Sequence, residues 1–352
     1  MDSVEQLERL MRIESHEDVD EIQEYLIKVI DGAELDETGC VCAEKRGDRD
    51  GPRIVLNSHM DVVSPHVPFE RVGDEIRGRG ACDAKGCLAP MLAAFSCVDP
   101  DAGSVRLVIS PDEETTQRGL YHYLSDGIEA DFAIVGEPSG LDVCPSARGH
   151  YDLLVELFGA SAHGATPESG TNTTACAAEA IRRIGDLPHL EDETLGPNNF
   201  TPTIIEGGNR PNQVPEYTKF VVDYRTVPGE SREDAVGKIE EVLQDLVCEA
   251  DVGFYDGGSS LDSFKTDATD AFVTSFRDHV VAERDTQPTV RPFDAATEAA
   301  FFAPYMPVVV FGPGLISDGD QPIAHSEHEF VPVEQVERTG EILTRFLAAT
   351  LS

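Results

Sequence analysis

Three apolar stretches in the first half of the chain each end in polar or acidic residues. They read RIVLNSH (53–59), SVRLVISPDEE (104–114) and DFAIVGEPS (131–139). Short apolar runs of this kind predict buried strands, and helical patterns such as GCLAPMLAAF (86–95) separate them. Strands that alternate with helices predict an α/β sheet, in which ligands bind beyond the carboxyl ends of the strands. We therefore expect the three polar endings to meet at one edge of the sheet.

Two local signals refine the helices around these strands. The tetrapeptide SHED (15–18) predicts a capping box in front of an amphipathic helix. The apolar positions of that helix are Val19, Ile22, Tyr25, Leu26 and Ile30. In the buried helix over 86–95, Pro90 lacks a backbone donor and is expected to be tolerated only near the first turn.

The middle of the chain has a different pattern. GHYDLLVELFG (149–159) alternates like a half-exposed strand, and a helix is predicted from about Thr173 to Ile184. Two more strands and a helix capped by Ser231 follow. They read TPTIIEGG (201–208), YTKFVVDYRTV (217–227) and SREDAVGKIEEVLQDLV (231–247).

The tail returns to an apolar strand, PVVVFGPG (307–314), and an amphipathic helix over about 332–351. This order predicts an α/β domain in two parts, residues 1–149 and 261–352. A smaller α+β domain, residues 150–260, is inserted between them.

The charge of the chain excludes some partners. Its 352 residues include 66 Asp and Glu against 27 Lys and Arg, a formal net charge of -39. Such a surface repels nucleic acid and anionic membranes, so neither is expected as a partner. The acidic residues are spread along the whole chain and Lys is scarce beside Arg, which is typical of a salt-adapted, halophilic protein.

The sequence predicts a soluble, cytoplasmic protein with free thiols. The first residues, MDSVEQLERLMRI, lack the pattern of a signal peptide, and no apolar run approaches the ~20 residues that span a bilayer. The eight cysteines are dispersed, unlike those of a disulfide scaffold, so all eight are expected to be reduced. Cys40 and Cys42 form a lone C-x-C, which is only a weak zinc signal.

The first strand ending contains a candidate metal ligand. Side chains two residues apart on a strand share a face, so His59 and Asp61 are expected to point the same way. A neutral imidazole can bind a metal there while Asp61 holds its other ring nitrogen. For this pair alone, a histidine beside a solvated carboxylate is the simpler interpretation.

Further strand endings repeat the pattern. Each side chain, taken alone, also has an ordinary interpretation as a solvated acid or a surface histidine. Together they supply His, Asp and Glu at the edge of one sheet, a ligand set that suits zinc, cobalt or manganese. The candidates are His59, Asp83, Glu113, Glu114, Glu137, His325 and His328. The glycines around Asp83 do not fit a dinucleotide-binding fingerprint.

The order of these motifs resembles the dinuclear zinc hydrolases. This family includes succinyl-diaminopimelate desuccinylase, acetylornithine deacetylase, aminoacylase and the glutamate carboxypeptidases. The motifs span nearly the whole chain and are, in order, H-x-D (59–61), G-R-G-x-x-D-x-K-G (78–86), D-E-E (112–114), G-E-P (136–138) and A-H-x-x-x-E-F (324–330).

The resemblance implies a role for each residue of the set. His59 and Glu137 would bind one zinc, His325 and Glu114 the other, and Asp83 would bridge both. Glu113 would be the general base, kept off the metals so that it can move a proton. We expect His325 rather than His328 as ligand, because the family places the Glu four residues after the ligand. The peptide bond after Asp83 is expected to be cis.

The inserted domain would act as a lid and a dimerisation domain in this family. There the resemblance places His163 near the scissile carbonyl, often across a homodimer interface, where it stabilises an oxyanion. Asn212 and Arg225 would bind the substrate carboxylate, since Arg offers a bidentate fork. Gly312 and Gly314 would form a backbone loop at the same carboxylate.

Two positions depart from the family pattern. Thr297-Glu298 replaces a T-D or S-D pair, and Cys87 occupies a position where Gly is usual. Neither change affects the proposed ligands, but both affect which substrate is expected.

The function predicted is a two-zinc amidase that removes an N-acyl group from an amino acid. N-succinyl-L,L-diaminopimelate desuccinylase, of lysine biosynthesis, is the first choice. Acetylornithine deacetylase and a dipeptidase or carboxypeptidase are the alternatives. A non-catalytic binding protein would have lost a ligand or Glu113, and a serine hydrolase would carry a G-x-S-x-G elbow. The sequence shows neither feature.

Overall fold

The chain divides into two units in a computed structural model that describes residues 2–283 and 289–352. Unit 1 comprises Met1–Ala147 and Lys265–Ser352, and unit 2 comprises Arg148–Phe264. The α-helices of the described residues are, in chain order, Ser3–Leu10, Asp20–Val29, Lys85–Cys97, Arg118–Tyr123, Thr173–Ile184, Arg232–Leu243, Ala271–Glu283, Ala299–Phe302 and Val333–Thr350. None of these helices is both long and apolar enough to cross a membrane.

A six-stranded sheet forms the centre of unit 1. In spatial order its strands are Glu34–Leu35, Val41–Arg46, Ala102–Ser110, Arg49–His59, Phe132–Val135 and Val308–Val310. The last four are parallel to one another, and the first two pair antiparallel. Because parallel strands end at the same edge, the three polar endings meet there, as the sequence predicted. A three-stranded sheet of Glu70–Val72, Glu75–Arg77 and Phe330–Pro332 lies in the same unit.

The helix Lys85–Cys97 is the most buried helix of unit 1, and it corrects one expectation. It packs against the helices Ser3–Leu10 and Val333–Thr350. Pro90 is its sixth residue and so lies beyond the first turn. Every residue from Lys85 to Phe95 is buried, so tertiary packing stabilises the helix and offsets the missing backbone hydrogen bond.

The predicted capping box over 15–18 does not form. The helix begins at Asp20, and its N-cap residue, Val19, makes no side-chain cap. Ser15 is buried and its carbonyl accepts a hydrogen bond from the Val62 N–H at 3.1 Å. This contact with a strand-end loop holds Ser15 too far from the helix to cap it.

Unit 2 is an antiparallel sheet with helices on one face. Its longer strands, in spatial order, are Asn199–Gly207, Tyr217–Thr226, Gly149–Phe158 and Glu249–Phe254. Alternate residues of the strand Gly149–Phe158 are buried and join a core with the helices Thr173–Ile184 and Arg232–Leu243. Ser231 caps the second helix through a reciprocal capping box with Asp234, as predicted. The α/β fold with an α+β unit within it is confirmed.

A disulfide overturns the prediction that all eight cysteines are reduced. Cys176 and Cys248 are bonded, with Cα atoms 6.4 Å apart, and they lie 72 residues apart in sequence. Cys176 is in the first turn of the helix Thr173–Ile184, and Cys248 immediately precedes the strand Glu249–Phe254. Their proximity depends on how this helix packs on the sheet, so dispersed cysteines in the sequence could not indicate it. The other six keep their thiols.

We predict that reduction of this bond destabilises unit 2. A cross-link that closes a loop of this length contributes up to about 4 kcal/mol in the chain-entropy view. Calorimetry should therefore show a lower unfolding temperature with reductant, matched by the C176S/C248S variant without it. Thiol titration of denatured protein should rise on reduction by two groups per chain. An unfolding temperature insensitive to both changes would contradict this.

Candidate active site

The candidate ligands come from the ends of neighbouring strands and from two loops. His59 ends the strand Arg49–His59 and is 1% exposed. Glu114 follows the strand that ends at Ser110, and Glu137 follows the one that ends at Val135. Asp83 lies just before the helix Lys85–Cys97, and the Asp83–Ala84 peptide bond is cis, as expected. His325 has a left-handed backbone, with φ of 63°.

These side chains form two sets that share Asp83. In each set, one donor atom from every residue lies within 4.8 Å of the others. The first set is His59, Asp83 and Glu137, and the second is Asp83, Glu114 and His325. Imidazole nitrogens and carboxylate oxygens are the donors that zinc takes in hydrolases, so both sets fit a divalent transition metal.

The two oxygens of Asp83 face different histidines. His59 Nε2 is 3.3 Å from Asp83 Oδ1, and His325 Nε2 is 3.3 Å from Asp83 Oδ2. A Glu137 oxygen is 3.8 Å from His59 Nε2, and a Glu114 oxygen is 3.1 Å from His325 Nε2. One carboxylate can therefore contact a cation in each set.

Burial and the short distances between these side chains shift the pKa values of both histidines and of Glu114. Burial alone would lower the pKa of His59, but hydrogen bonds to the three carboxylates around it raise it. Hydrogen bonds to Asp83 and Glu114 raise the pKa of His325 to about 10. Burial raises the pKa of Glu114 to about 7. Each imidazole is thus held beside acceptor carboxylates, and a cation that binds at one of these ring nitrogens would displace any proton there.

Asp61 holds both a histidine and the loop with the two adjacent acids. His59 Nδ1 lies 3.0 Å from the Asp61 carbonyl and 3.2 Å from its carboxylate. Both partners are acceptors, so Nδ1 carries a proton towards them, and Nε2 is the nitrogen that faces the set. The Asp61 carboxylate also accepts the backbone N–H groups of Glu113 and Glu114, at 3.1 and 3.0 Å.

Glu113 belongs to neither set. Burial raises the pKa of Glu113 well above its usual value, and the nearby carboxylates of Glu137 and Glu114 add to this. Its neighbour Glu114 points to His325 instead. The two adjacent acids therefore have different surroundings, and Glu113 is available for proton transfer.

The structure distinguishes His325 from the alternative, His328. His325 contacts Asp83 and Glu114, whereas His328 is exposed, belongs to no ligand group of the described residues, and donates its backbone N–H to Ser326 Oγ.

A buried ion pair that sequence reasoning missed anchors both loops. Arg79 Nη1 lies 2.7 Å from Glu329 Oε2, and both side chains are at most 1% exposed. Arg79 also donates to the carbonyl of His325 at 3.2 Å. Glu329 accepts the backbone N–H groups of Cys82 and Asp83. Both residues lie inside the motifs G-R-G-x-x-D-x-K-G and A-H-x-x-x-E-F, which was the available signal.

Thr297 and Glu298, the pair that departs from the family pattern, are both buried. Thr297 Oγ1 donates to Glu137 Oε1 at 3.1 Å and so orients that carboxylate. Glu298 is buried and accepts from Ser110 Oγ at 2.5 Å, and burial raises the pKa of Glu298 to about 8. Both residues therefore support the strand ends rather than face solvent.

Gly312 and Gly314 allow close backbone approach beneath the site. A Cβ on Gly312 would lie 2.5 Å from the Cys87 Sγ, and one on Gly314 would lie 2.5 Å from the Cys82 Cβ. Gly314 also has φ of 79°, which favours glycine. Cys87 thus packs directly against this loop.

The remaining candidates lie in unit 2. His163 is exposed, and its Nδ1 accepts the Ala165 N–H at 3.1 Å. Asn212 is close by, because its carbonyl accepts the Gly164 N–H at 2.8 Å. Arg225 already has a bidentate partner, Asp223, at 2.8 and 2.9 Å, so a substrate carboxylate would have to compete with it.

Comparison with known proteins identifies the family. The model of peptidase family M20/M25/M40 matches residues 55–349, most of the chain. The chain belongs to this family. It is a metal-dependent hydrolase of amide bonds, as predicted.

Three named relatives agree with membership of the M20 family. A putative [LysW]-lysine/[LysW]-ornithine hydrolase of Pyrobaculum aerophilum is 30% identical and covers 97% of this chain and 96% of its own. An acetylornithine deacetylase of Myxococcus xanthus is 28% identical, over 91% of this chain and 86% of its own. A succinyl-diaminopimelate desuccinylase of Erythrobacter litoralis is 27% identical, over 88% of this chain and 84% of its own.

Two crystal structures share the M20 fold. Aminopeptidase PepT of Bacillus cereus has a TM-score of 0.81 at 20% identity, covering 99% of this chain and 98% of its own. The YXEP protein of Bacillus subtilis, described as a dinuclear metal-binding M20 peptidase, has a TM-score of 0.73 at 15% identity, covering 99% and 97%.

We predict that Arg79 supports metal binding indirectly, by holding the loops that carry Asp83 and His325. Arg79→Met leaves the Glu329 charge buried without a partner, which should destabilise the protein by about 3–5 kcal/mol in urea unfolding. It also frees the His325 carbonyl, so zinc affinity measured by chelator competition should fall.

The double variant R79M/E329Q separates the two effects. Gln keeps an acceptor for the Cys82 and Asp83 N–H groups without the charge, so stability should partly return while zinc affinity stays low. Folded R79M protein that binds zinc as tightly as the wild type would contradict this role.

Proposed function

We propose that this M20 hydrolase uses two zinc ions to remove an N-acyl group from an amino acid. The observation that carries the proposal is the position of Asp83 between two ligand sets, each with its own histidine. A single-metal site would need neither the second histidine nor a carboxylate that faces both. Cobalt or manganese suits the same donors and could replace zinc.

In this proposal each residue keeps a distinct task. His59 and Glu137 hold one cation, Glu114 and His325 hold the other, and Asp83 contacts both. Two such cations activate a water and polarise the substrate carbonyl. Asp61 supports the site by holding the Nδ1 proton of His59 and the backbone that carries the adjacent acids.

Glu113 is proposed as the general base. It lies beside Glu114, outside both ligand sets, in surroundings that favour its protonated form in the metal-free protein. A carboxyl group with a raised pKa can accept a proton from the attacking water and then donate it to the leaving amine.

Substrate contacts are proposed for the remaining candidates. His163 would stabilise the oxyanion, while Asn212 and Arg225 would bind the substrate carboxylate together with the backbone at Gly312 and Gly314. The exposure of His163 and its proximity to Asn212 within unit 2 support the first part. For Arg225, Asp223 would have to release part of the guanidinium fork.

The substrate proposed first is N-succinyl-L,L-diaminopimelate. The names of three relatives support an N-acylated diamino acid, because ornithine, lysine and diaminopimelate each have two amino groups. Acetylornithine and the [LysW]-linked amino acids of the Pyrobaculum relative are the alternatives within this class. A dipeptide is the alternative outside it, since the PepT structure is that of an aminopeptidase.

The biological setting belongs to the same proposal. A biosynthetic deacylase would act in the cytoplasm, and unit 2 would form the interface of a homodimer. The net charge of -39 supports adaptation to high salt, where dense surface charge maintains solubility.

We predict that Glu113→Gln and Glu114→Ala both lower activity, but only the second also lowers the metal content. Glu113→Gln removes the proton acceptor but no ligand, so turnover should fall by at least about 100-fold while the metal content per chain stays equal to that of the wild type. Glu114→Ala removes a ligand, so metal content should fall together with activity. Elemental analysis of both dialysed variants, beside steady-state rates, makes the comparison. Metal loss in E113Q equal to that in E114A would refute the assigned roles.

A substrate panel tests the specificity. The zinc- or cobalt-loaded enzyme should hydrolyse succinyl-diaminopimelate with a higher kcat/KM than acetylornithine, acetyl-methionine or a dipeptide. A preference for acetylornithine would move the assignment to the deacetylase. Cleavage of the dipeptide alone would contradict the biosynthetic proposal.

A further inference from the structure

A third group of side chains that could hold a metal ion lies in unit 1, separate from the two sets that share Asp83. It consists of Glu14, His16 and His66, and one donor atom from each lies within 4.8 Å of the others. The first two belong to the segment between the helices Ser3–Leu10 and Asp20–Val29, and His66 belongs to the segment after the strand that ends at His59. The proposed hydrolysis uses none of the three.

We propose that these three residues bind a further divalent transition cation, such as Zn²⁺. The two carboxylate oxygens of Glu14 face different rings, with Oε1 3.6 Å from His66 Nε2 and Oε2 3.9 Å from His16 Nδ1. These separations exceed hydrogen-bond length. A cation between the three donors would contact all of them after a small contraction.

The arrangement of the two imidazoles agrees with this. Their ring centroids are 5.7 Å apart and the planes are inclined by 28°. Two imidazoles that bind one zinc at 2.0–2.1 Å have centroids about 5 Å apart. The separation of the two rings is thus close to the one that a shared ion requires.

Two buried polar atoms in this segment have no hydrogen-bond partner among the described residues. They are His16 Nδ1 and the neighbouring Ser15 Oγ. Buried polar atoms are nearly always partnered, and each exception requires an explanation such as an ion. A cation at His16 Nδ1 would satisfy this atom without any change in the backbone.

The chemistry of the group selects the class of ion. Two imidazoles and one carboxylate suit zinc, nickel, copper or iron, whereas magnesium and calcium prefer oxygen ligands. The His16 and His66 side chains are 14% and 29% exposed, and that of Glu14 is 60% exposed. A cation can thus enter from the Glu14 side, and water can complete its coordination.

Binding would connect two segments that support the catalytic strand end. The Ile13 carbonyl accepts from the buried Lys85 Nζ at 2.6 Å. The Pro65 carbonyl, next to His66, accepts from Arg79 Nε at 3.2 Å. A cation at this third group would link the two segments and so stabilise the loops beside the candidate active site.

Zinc counting tests the proposal. Wild-type protein and the variants H16A, H66A and E14Q are loaded at the catalytic centre and dialysed against the same micromolar free Zn²⁺. The metal is then counted per chain. The control is H122A, which removes an exposed histidine from the helix Arg118–Tyr123. Wild type and H122A should hold one more zinc per chain than the other three. Because this is a difference, it does not depend on the number of ions at the catalytic centre.

The E14Q variant shows whether a lower zinc count results from misfolding. Its side chain is largely exposed, so the substitution changes the donor without disturbing the packing. With the catalytic centre already loaded, E14Q should have the unfolding temperature of the wild type before free zinc is added, and should lose most of the further rise that free zinc then gives the wild type. Equal zinc counts in wild type, E14Q and H66A would overturn the proposal.

Discussion

The contact of one carboxylate, that of Asp83, with two histidines from distant parts of the sequence is the constraint on which the site depends. His59 ends a strand of the parallel sheet, while His325 lies in a loop before a short strand of another sheet. Only a residue between them can join the two ligand sets, and each Asp83 oxygen lies 3.3 Å from one ring. Buried charges of one sign cannot remain so close without compensation. The two imidazoles lie beside these carboxylates, and two cations would provide the compensation in the proposed enzyme.

Residues outside the two ligand sets hold the side chains and the backbone around Asp83 in place. Asp61 fixes the tautomer of His59 and accepts the backbone donors of the two adjacent acids. The ion pair of Arg79 and Glu329 connects the backbone at Asp83 to the backbone at His325. A buried pair of this kind is weak support for stability as such, because desolvation costs nearly as much as the attraction returns. Its value here lies in the geometry that it imposes on two loops.

Much of this organisation could be predicted from the sequence, because the strands of unit 1 are short, apolar and end in chemically distinct residues. The polar endings, the cis peptide after Asp83 and the cap at Ser231 are present in the structure. The failures share a physical cause: Ser15, Pro90 and the disulfide between Cys176 and Cys248 depend on tertiary contacts that no local pattern encodes. The same holds for Arg79 and Glu329, which are 250 residues apart. Their motifs were visible, but their pairing required the fold.

The central claim, that Asp83 contacts two metal ions at once, is tested most directly by anomalous diffraction from crystals of the zinc-loaded protein at the zinc edge. The account predicts two peaks at this centre about 3.5–4 Å apart, one beside each Asp83 oxygen, with His59 and His325 on opposite peaks. A single peak at this centre, or a pair in which only one touches Asp83, would contradict it.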